Sequence, residues 1–267
     1  MLKTRILTAL VIAALLIPAI FWLDASLWAV LTAIITGIAG WEFARLAGFS
    51  KPLQFAYGIL VGMLAIALGW LPVDQLRDVG RVLLVLSALF WLGVVPLWLR
   101  ARWVIKAPTR MALVGLVVLL PTWYALIAIR GQGSAWLFGA LLLVALADIA
   151  AYFFGRAFGR RKLAPNISPG KTWEGAYGAM FTVTVLTLAT QWVVGGPDAV
   201  RLVALLLVMP LLTLVSIAGD LFESLLKRQA GLKDSSQLLP GHGGVLDRID
   251  SHTAALPLIA LLLTVLA

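Results

Sequence analysis

The sequence predicts an all-α fold: a polytopic integral membrane protein of about nine transmembrane helices with a cytoplasmic N-terminus. Three observations predict it. First, 62% of the 267 residues are hydrophobic and only 12% are charged, giving a mean hydropathy of +1.01. One water-soluble core cannot bury that much apolar surface, so lipid must be the solvent for much of it. Second, several runs reach the ~18 or more apolar residues that a bilayer-spanning helix needs. Third, the basic residues fall unevenly on alternate sides of those runs, as topological signals do.

The spans read, in order, as 6–23, 26–41, 53–71, 82–99, 111–129, 135–154, 175–195, 202–219 and 251–267. The first, with its basic start, resembles a signal peptide. No A-x-A-like cleavage site precedes Asp24, so it is read as a retained span. The second is short. Pro18, Pro96, Pro121, Pro210 and Pro257 lie inside spans, where neighbouring helices can satisfy the freed backbone groups. Trp and Tyr recur near span ends as interface anchors. The whole chain, 1–267, is expected to be one membrane domain. Helices of 1–130 precede a catalytic half, 131–267, whose cytoplasmic loops are 155–174 and 224–250.

With these spans, seventeen of the 21 Lys and Arg residues fall on one side; Arg77, Arg81, Arg130 and Arg201 fall on the other. That bias puts the N-terminus and the large loops inside. The net charge of +9 then reflects topology and contact with anionic lipid rather than nucleic acid. Cys is absent, which excludes thiolate metal sites and cysteine nucleophiles. Glu42, Asp148, Glu174, Asp220, Glu223, Asp234, Asp247 and Asp250 lie at or near the inner side, so chemistry is sought there.

Asp148 sits about two turns inside the sixth span, and an intramembrane carboxylate is a functional candidate by default. The segment "GRRKLAPNISPGKTWEG" (159–175) is a basic loop in which Lys171 and Ser168 are candidate phosphate contacts. Its "PGKT" imitates a P-loop, but Pro165 stands where Gly is required and no strand is expected before it. In "SIAGDLFESLLKR" (216–228), Asp220, Glu223 and Lys227 share one helical face. In "HGGVLDRID" (242–250), Gly243 and Gly244, with Gly241 just before the run, surround His242 in a turn whose amides can converge on an anion. Asp247 and Asp250 follow three residues apart and suit Mg²⁺, a hard cation usually shared with phosphates. Asp250 also suits the role of cap for the ninth helix. Oxygens for metal, cations for phosphate and adjacent lipid are what phosphoryl or nucleotidyl transfer onto a lipid needs.

The longer run "SLLKRQAGLKDSSQLLPGHGGVLDRID" (224–250) resembles the signature of the phosphatidate cytidylyltransferases, or CDP-diglyceride synthases. The fixed positions of that signature are met by Ser224, Lys227, Arg228, Lys233, Asp234, Pro240, His242, Gly243, Gly244, Asp247, Arg248 and Asp250. Upstream, "DIAAYFFGRAFGRRKLAPNISPGKTWEG" is similar to a second block of the family, and the resemblance carries from Ala145 onward. It implies that CTP and phosphatidate give CDP-diacylglycerol and pyrophosphate, with Mg²⁺ required and a second, monovalent cation such as K⁺ nearby. It implies a homodimer in a bacterial inner membrane, active on the cytoplasmic side. Asp220 and Asp247 correspond to metal ligands, with Glu223 and Asp250 as further candidates. Lys171, Ser168, Arg228, Lys233, Arg248, Gly243 and Gly244 are expected at the phosphates, and Asp148, Lys227 and His242 at the reacting centre. A CTP-dependent lipid or polyprenol kinase is the alternative enzyme. An ion-coupled transporter is the non-enzyme alternative, and it predicts acids spread along a transmembrane path.

Overall fold

The computed structural model describes residues 2–266. Among them run nine long helices: α1 (Leu2–Trp22), α2 (Ala25–Leu46), α3 (Lys51–Gly69), α4 (Val73–Ala101), α5 (Pro108–Gln132), α6 (Ser134–Phe158), α7 (Trp173–Gly195), α8 (Ala199–Gln229) and α9 (Leu246–Leu266). Helices α1 to α8 are each long and apolar enough to cross a membrane. The 21 residues of α9 rise about 32 Å, the thickness of a hydrocarbon core. Ala267, the end of the predicted ninth span, lies outside the described residues. The chain is thus a polytopic membrane protein of the expected helix number.

Several boundaries differ from expectation. Helix α2 is a full span of 22 residues rather than a short one. Its start is capped by Asp24, whose carboxylate accepts from the amides of Ser26 and Leu27 at 2.8 and 2.9 Å. Pro96 does not break α4. A π-helical turn at Phe90–Val94 precedes it and absorbs the misfit that a ring inside a helix creates.

The expectation of helix alone is corrected in one place. Residues Lys162–Ala164 (β1) and Ser168–Thr172 (β2) form a small antiparallel hairpin, with Lys162 opposite Thr172 and Ala164 opposite Ser168. Pro165 and Asn166 make its turn, as their backbone preferences allow, and Ile167 buries its side chain beneath. "PGKT" is therefore a paired strand. A short strand does precede it, contrary to the sequence reading, but there is no phosphate-cradling loop between them.

Helices α5 and α9 hold the centre, against α2 and α4 and against each other. Helix α1 turns Leu7, Leu10, Leu15 and Trp22 outward, as lipid-facing residues do. Its end is fixed by Arg130, counted in the sequence only as an outer charge. The guanidinium donates to the Ile20 carbonyl at 2.9 Å and to that of Leu23, and lies 5.1 Å from the Trp28 ring centre. Carbonyls that a helix end leaves open are satisfied in this way.

Candidate active site

Alternating helix directions bring the ends of α2, α6 and α8, the starts of α7 and α9, and the hairpin to one end of the bundle. Helix α8 has 31 residues and rises roughly 46 Å, longer than a ~30 Å hydrocarbon core. Its last turns therefore carry Asp220, Glu223 and Lys227 out of the apolar stretch. Phe222 fixes the rotation of those turns. Its ring meets Phe90, Trp91 and Trp98 of α4 edge-on, with centroids 5.6, 5.7 and 5.2 Å away. One turn earlier, Gly219 lets α8 approach α9 closely, since a Cβ there would stand 2.6 Å from the Asp250 carbonyl.

Two lysines meet three acids at this end. Lys171, projected from β2, lies 2.6 Å from Asp220 Oδ2, while the Ser224 hydroxyl donates to Asp220 Oδ1 at 3.2 Å. Lys227 donates to Asp247 Oδ1 at 2.6 Å and lies 3.2 Å from Glu223 Oε2. The expected Glu223–Lys227 pair is thus present, but it is no surface pair: the side chains are only 6% and 12% exposed.

Asp247 Oδ2 accepts three further hydrogen bonds, from the Ser235 amide at 2.9 Å, its hydroxyl at 2.8 Å and the Gly244 amide at 2.8 Å. Gly243 adopts a φ of +82°, a left-handed conformation that favours glycine. A Cβ on Gly244 would overlap the Ser235 hydroxyl and the Glu42 carboxylate.

Asp250 lies in the second turn of α9 and is not its cap, because the helix begins four residues earlier, at Leu246. It stands against Glu223, with Asp220 and Asp148 close by. Asp148 accepts from the Ser251 hydroxyl at 3.3 Å. Apart from the Lys227 ammonium beside Oε2, both buried Glu223 carboxylate oxygens lack a hydrogen-bond donor, and Nδ1 of His242 is buried with no partner. Arg228, Lys233 and Arg248 are exposed and, among the described residues, form no ion pair. Ser168 is at the far end of β2 from Lys171, opposite Ala164.

The profile of the Cytidylyltransferase family matches residues 3–266. The chain belongs to that family. It is 42% identical to a phosphatidate cytidylyltransferase of Pseudomonas aeruginosa, over 98% of this chain and 97% of that one. A phosphatidate cytidylyltransferase of Haemophilus influenzae is 36% identical, over 96% of each chain. One from Staphylococcus epidermidis is 45% identical over about half of each. The similarity thus runs through the N-terminal helices as well, and does not begin at Ala145.

In a cytidylyltransferase the acids must deal with a highly charged nucleotide. Among the described residues no three carboxylate or imidazole groups converge as a complete metal cage would require. Mg²⁺ needs less, since it binds through one or two carboxylates and takes its other ligands from water and substrate phosphates. The carboxylates of Glu223, Asp220 and Asp247, now facing ammonium groups, offer oxygen ligands, the type this ion prefers. The residues present fit Mg²⁺.

Sequence reasoning missed the residue at the centre of this end. Glu42, from α2, is fully buried and faces four hydrogen-bond donors, one of them shared with Asp247. They are the Ser235 and Ser236 hydroxyls at 3.2 and 2.5 Å, and the Val245 and Leu246 amides at 3.0 and 2.6 Å. Arg45, one turn on, donates to the Ser235 carbonyl at 2.6 Å. In the sequence Glu42 is only one of eight acids at or near the inner side. Its partners are some two hundred residues away, beyond any local pattern.

Proposed function

We propose that this chain is a phosphatidate cytidylyltransferase, transferring the cytidylyl group of CTP to phosphatidate to give CDP-diacylglycerol and pyrophosphate. The observation that carries the site assignment is the pair of lysines, Lys171 and Lys227, each 2.6 Å from an aspartate. They meet at the end of the bundle where α8 leaves its apolar stretch. A charged nucleotide and a lipid phosphate can meet at such a boundary, and ammonium groups already gathered there can transfer from carboxylates to phosphates.

Asp220 and Asp247 are the residues we assign to Mg²⁺, with Glu223 and Asp250 behind them. Bound there, Mg²⁺ offsets the charge on the triphosphate and on the leaving pyrophosphate. Lys171 and Lys227 release the aspartate oxygens and take up phosphate oxygens instead. Arg228, Lys233 and Arg248, open at the rim, hold the outer phosphates, and Ser168 and the Gly243–Gly244 amides add neutral donors. An oxygen of phosphatidate attacks the α-phosphorus of CTP. The new phosphorus–oxygen bond forms as the bond to the bridging oxygen of the β-phosphate breaks, and pyrophosphate leaves with the electron pair. A phosphate monoester is largely dianionic at neutral pH, its second pKa being about 6, so the attack needs no strong base. His242 is accordingly a phosphate contact, and Asp148 orients the lysine side. The reading places this end of the protein at the cytoplasmic face of a bacterial inner membrane. A homodimer and a monovalent cation such as K⁺ beside Mg²⁺ belong to the same proposal.

The test uses purified full-length protein with phosphatidate, each nucleoside triphosphate in turn, and Mg²⁺ or EDTA. CDP-diacylglycerol and pyrophosphate formed from CTP, and abolished by EDTA, support the reading. CDP appearing with a newly phosphorylated lipid would identify a kinase instead.

A further inference from the structure

Glu42 is costly where it stands. A carboxylate removed from water without a cation is tolerated only if hydrogen bonds saturate it, and among the described residues Glu42 forms no ion pair. Its four donors are all neutral and all come from residues 235–246, the end of the segment after α8 and the first residue of α9. Two are backbone amides at the start of α9, groups that every helix leaves unpaired and whose partial positive charge favours an anion. The other two are hydroxyls, and that of Ser235 shares its single hydrogen between Glu42 Oε2 at 3.2 Å and Asp247 Oδ2 at 2.8 Å. The chain of contacts therefore runs from Glu42 through Ser235 to Asp247. The space between them is filled to the point that Gly244 has no room for a side chain.

We propose that Glu42 is a positioning residue of the reaction: it holds the start of α9 by two amides and, through Ser235, holds the Asp247 carboxylate in its working orientation. The link to metal rests on the assignment of Asp247 above; the link to the backbone does not. Residues that orient a metal's ligands commonly change its affinity about 10- to 100-fold when replaced. A glutamine at this position keeps the shape but turns an NH₂ group toward donors, so at least one of the two amides loses its acceptor.

The experiment compares full-length wild type with Glu42→Gln in the same detergent, by two measurements. One is hydrogen–deuterium exchange of peptides covering residues 239–248 without nucleotide or metal. The other is the Mg²⁺ concentration for half-maximal turnover, measured beside kcat and the melting temperature. Faster exchange confined to this segment, together with an Mg²⁺ requirement raised about tenfold, supports the proposal. Unchanged exchange overturns it, and so does a lower kcat or melting temperature with the Mg²⁺ requirement unmoved, which is what loss of folded protein alone produces. Should Glu42→Gln fail to fold, Ser236→Ala removes the 2.5 Å donor to Glu42 and, with it, the acceptor of the Leu238 amide at 3.1 Å, which lies outside the measured peptides. The same two quantities must then move in the same direction, by about threefold on the smaller loss, or the proposal fails. Asp247→Asn is measured in parallel. If it leaves the Mg²⁺ requirement unmoved, the metal assignment of Asp247 falls, while faster exchange in Glu42→Gln still upholds the hold on α9.

Discussion

Lys227→Met separates two jobs that one ammonium group does here. Its side chain is 12% exposed and lies between Glu223 and Asp247, whose side chains are 6% and 3% exposed. Methionine keeps most of the stem and removes the charge, leaving two buried carboxylates without a counter-ion. Breaking a buried pair by removing one partner costs about 3–5 kcal/mol. The cost is uneven. Asp247 keeps donors on Oδ2, whereas Glu223 loses the Lys227 ammonium, 3.2 Å from Oε2, and has no other donor. Glu223→Gln, added to Lys227→Met, should therefore recover more than half of the lost stability in chemical unfolding in mixed micelles. Activity should behave differently. A hydrogen bond to a charged group contributes about 1.5–3 kcal/mol, so losing the phosphate contact lowers kcat/KM roughly 10- to 150-fold. The added glutamine cannot restore it. Formation of CDP-diacylglycerol from CTP and phosphatidate reads the second quantity. A Lys227→Met protein as stable as wild type, or a double variant that regains turnover, would refute the division of roles.

Lys171→Met should show the opposite balance, because the Lys171–Asp220 pair is 23% and 29% exposed. Unfolding should shift by less than about 1 kcal/mol, while kcat/KM falls as far as for Lys227→Met. Gly244→Ala pushes a Cβ into the Ser235 hydroxyl and Glu42, and overpacking of that kind costs about 1–3 kcal/mol. The melting temperature should drop, whereas Gly139→Ala, in α6 with nothing within 4 Å of the added carbon, should melt at or slightly above wild type.

The helices were legible because hydropathy and length suffice to define a span, and the charge count fixed their alternation. The hairpin was not, since Lys162–Ala164 and Ser168–Thr172 are too short and too polar to show an alternating pattern. The motif residues could be named because they lie close together in sequence, but their partners could not. Nothing near Asp220 indicates Lys171, 49 positions earlier, and nothing near Asp247 indicates that three of its donors leave only one oxygen facing a lysine. Asp250 suits a cap in the sequence because it precedes an apolar run. The helix starts earlier because Glu42 accepts the amides of Val245 and Leu246, a capping acid supplied from another helix.

That substitution bears on how a loop of irregular backbone survives beside hydrocarbon. Amides and carbonyls that become buried need protein partners, and the segment between α8 and α9 forms no regular helix or strand to supply them. Glu42, Arg45 and Asp247 Oδ2 supply what is missing, each spending its hydrogen-bonding capacity on backbone or on the serines next to it. The acids at this end thus divide by what their oxygens face. Those saturated by neutral donors have no capacity left for an arriving ion and can only hold shape. Those facing a lysine or another carboxylate, Asp220, Glu223, Asp250 and the remaining oxygen of Asp247, sit in a balance of charges that a cation and a polyphosphate can re-partition. Chemistry that moves charged groups needs the second kind, and the second kind stays in place only because the first does.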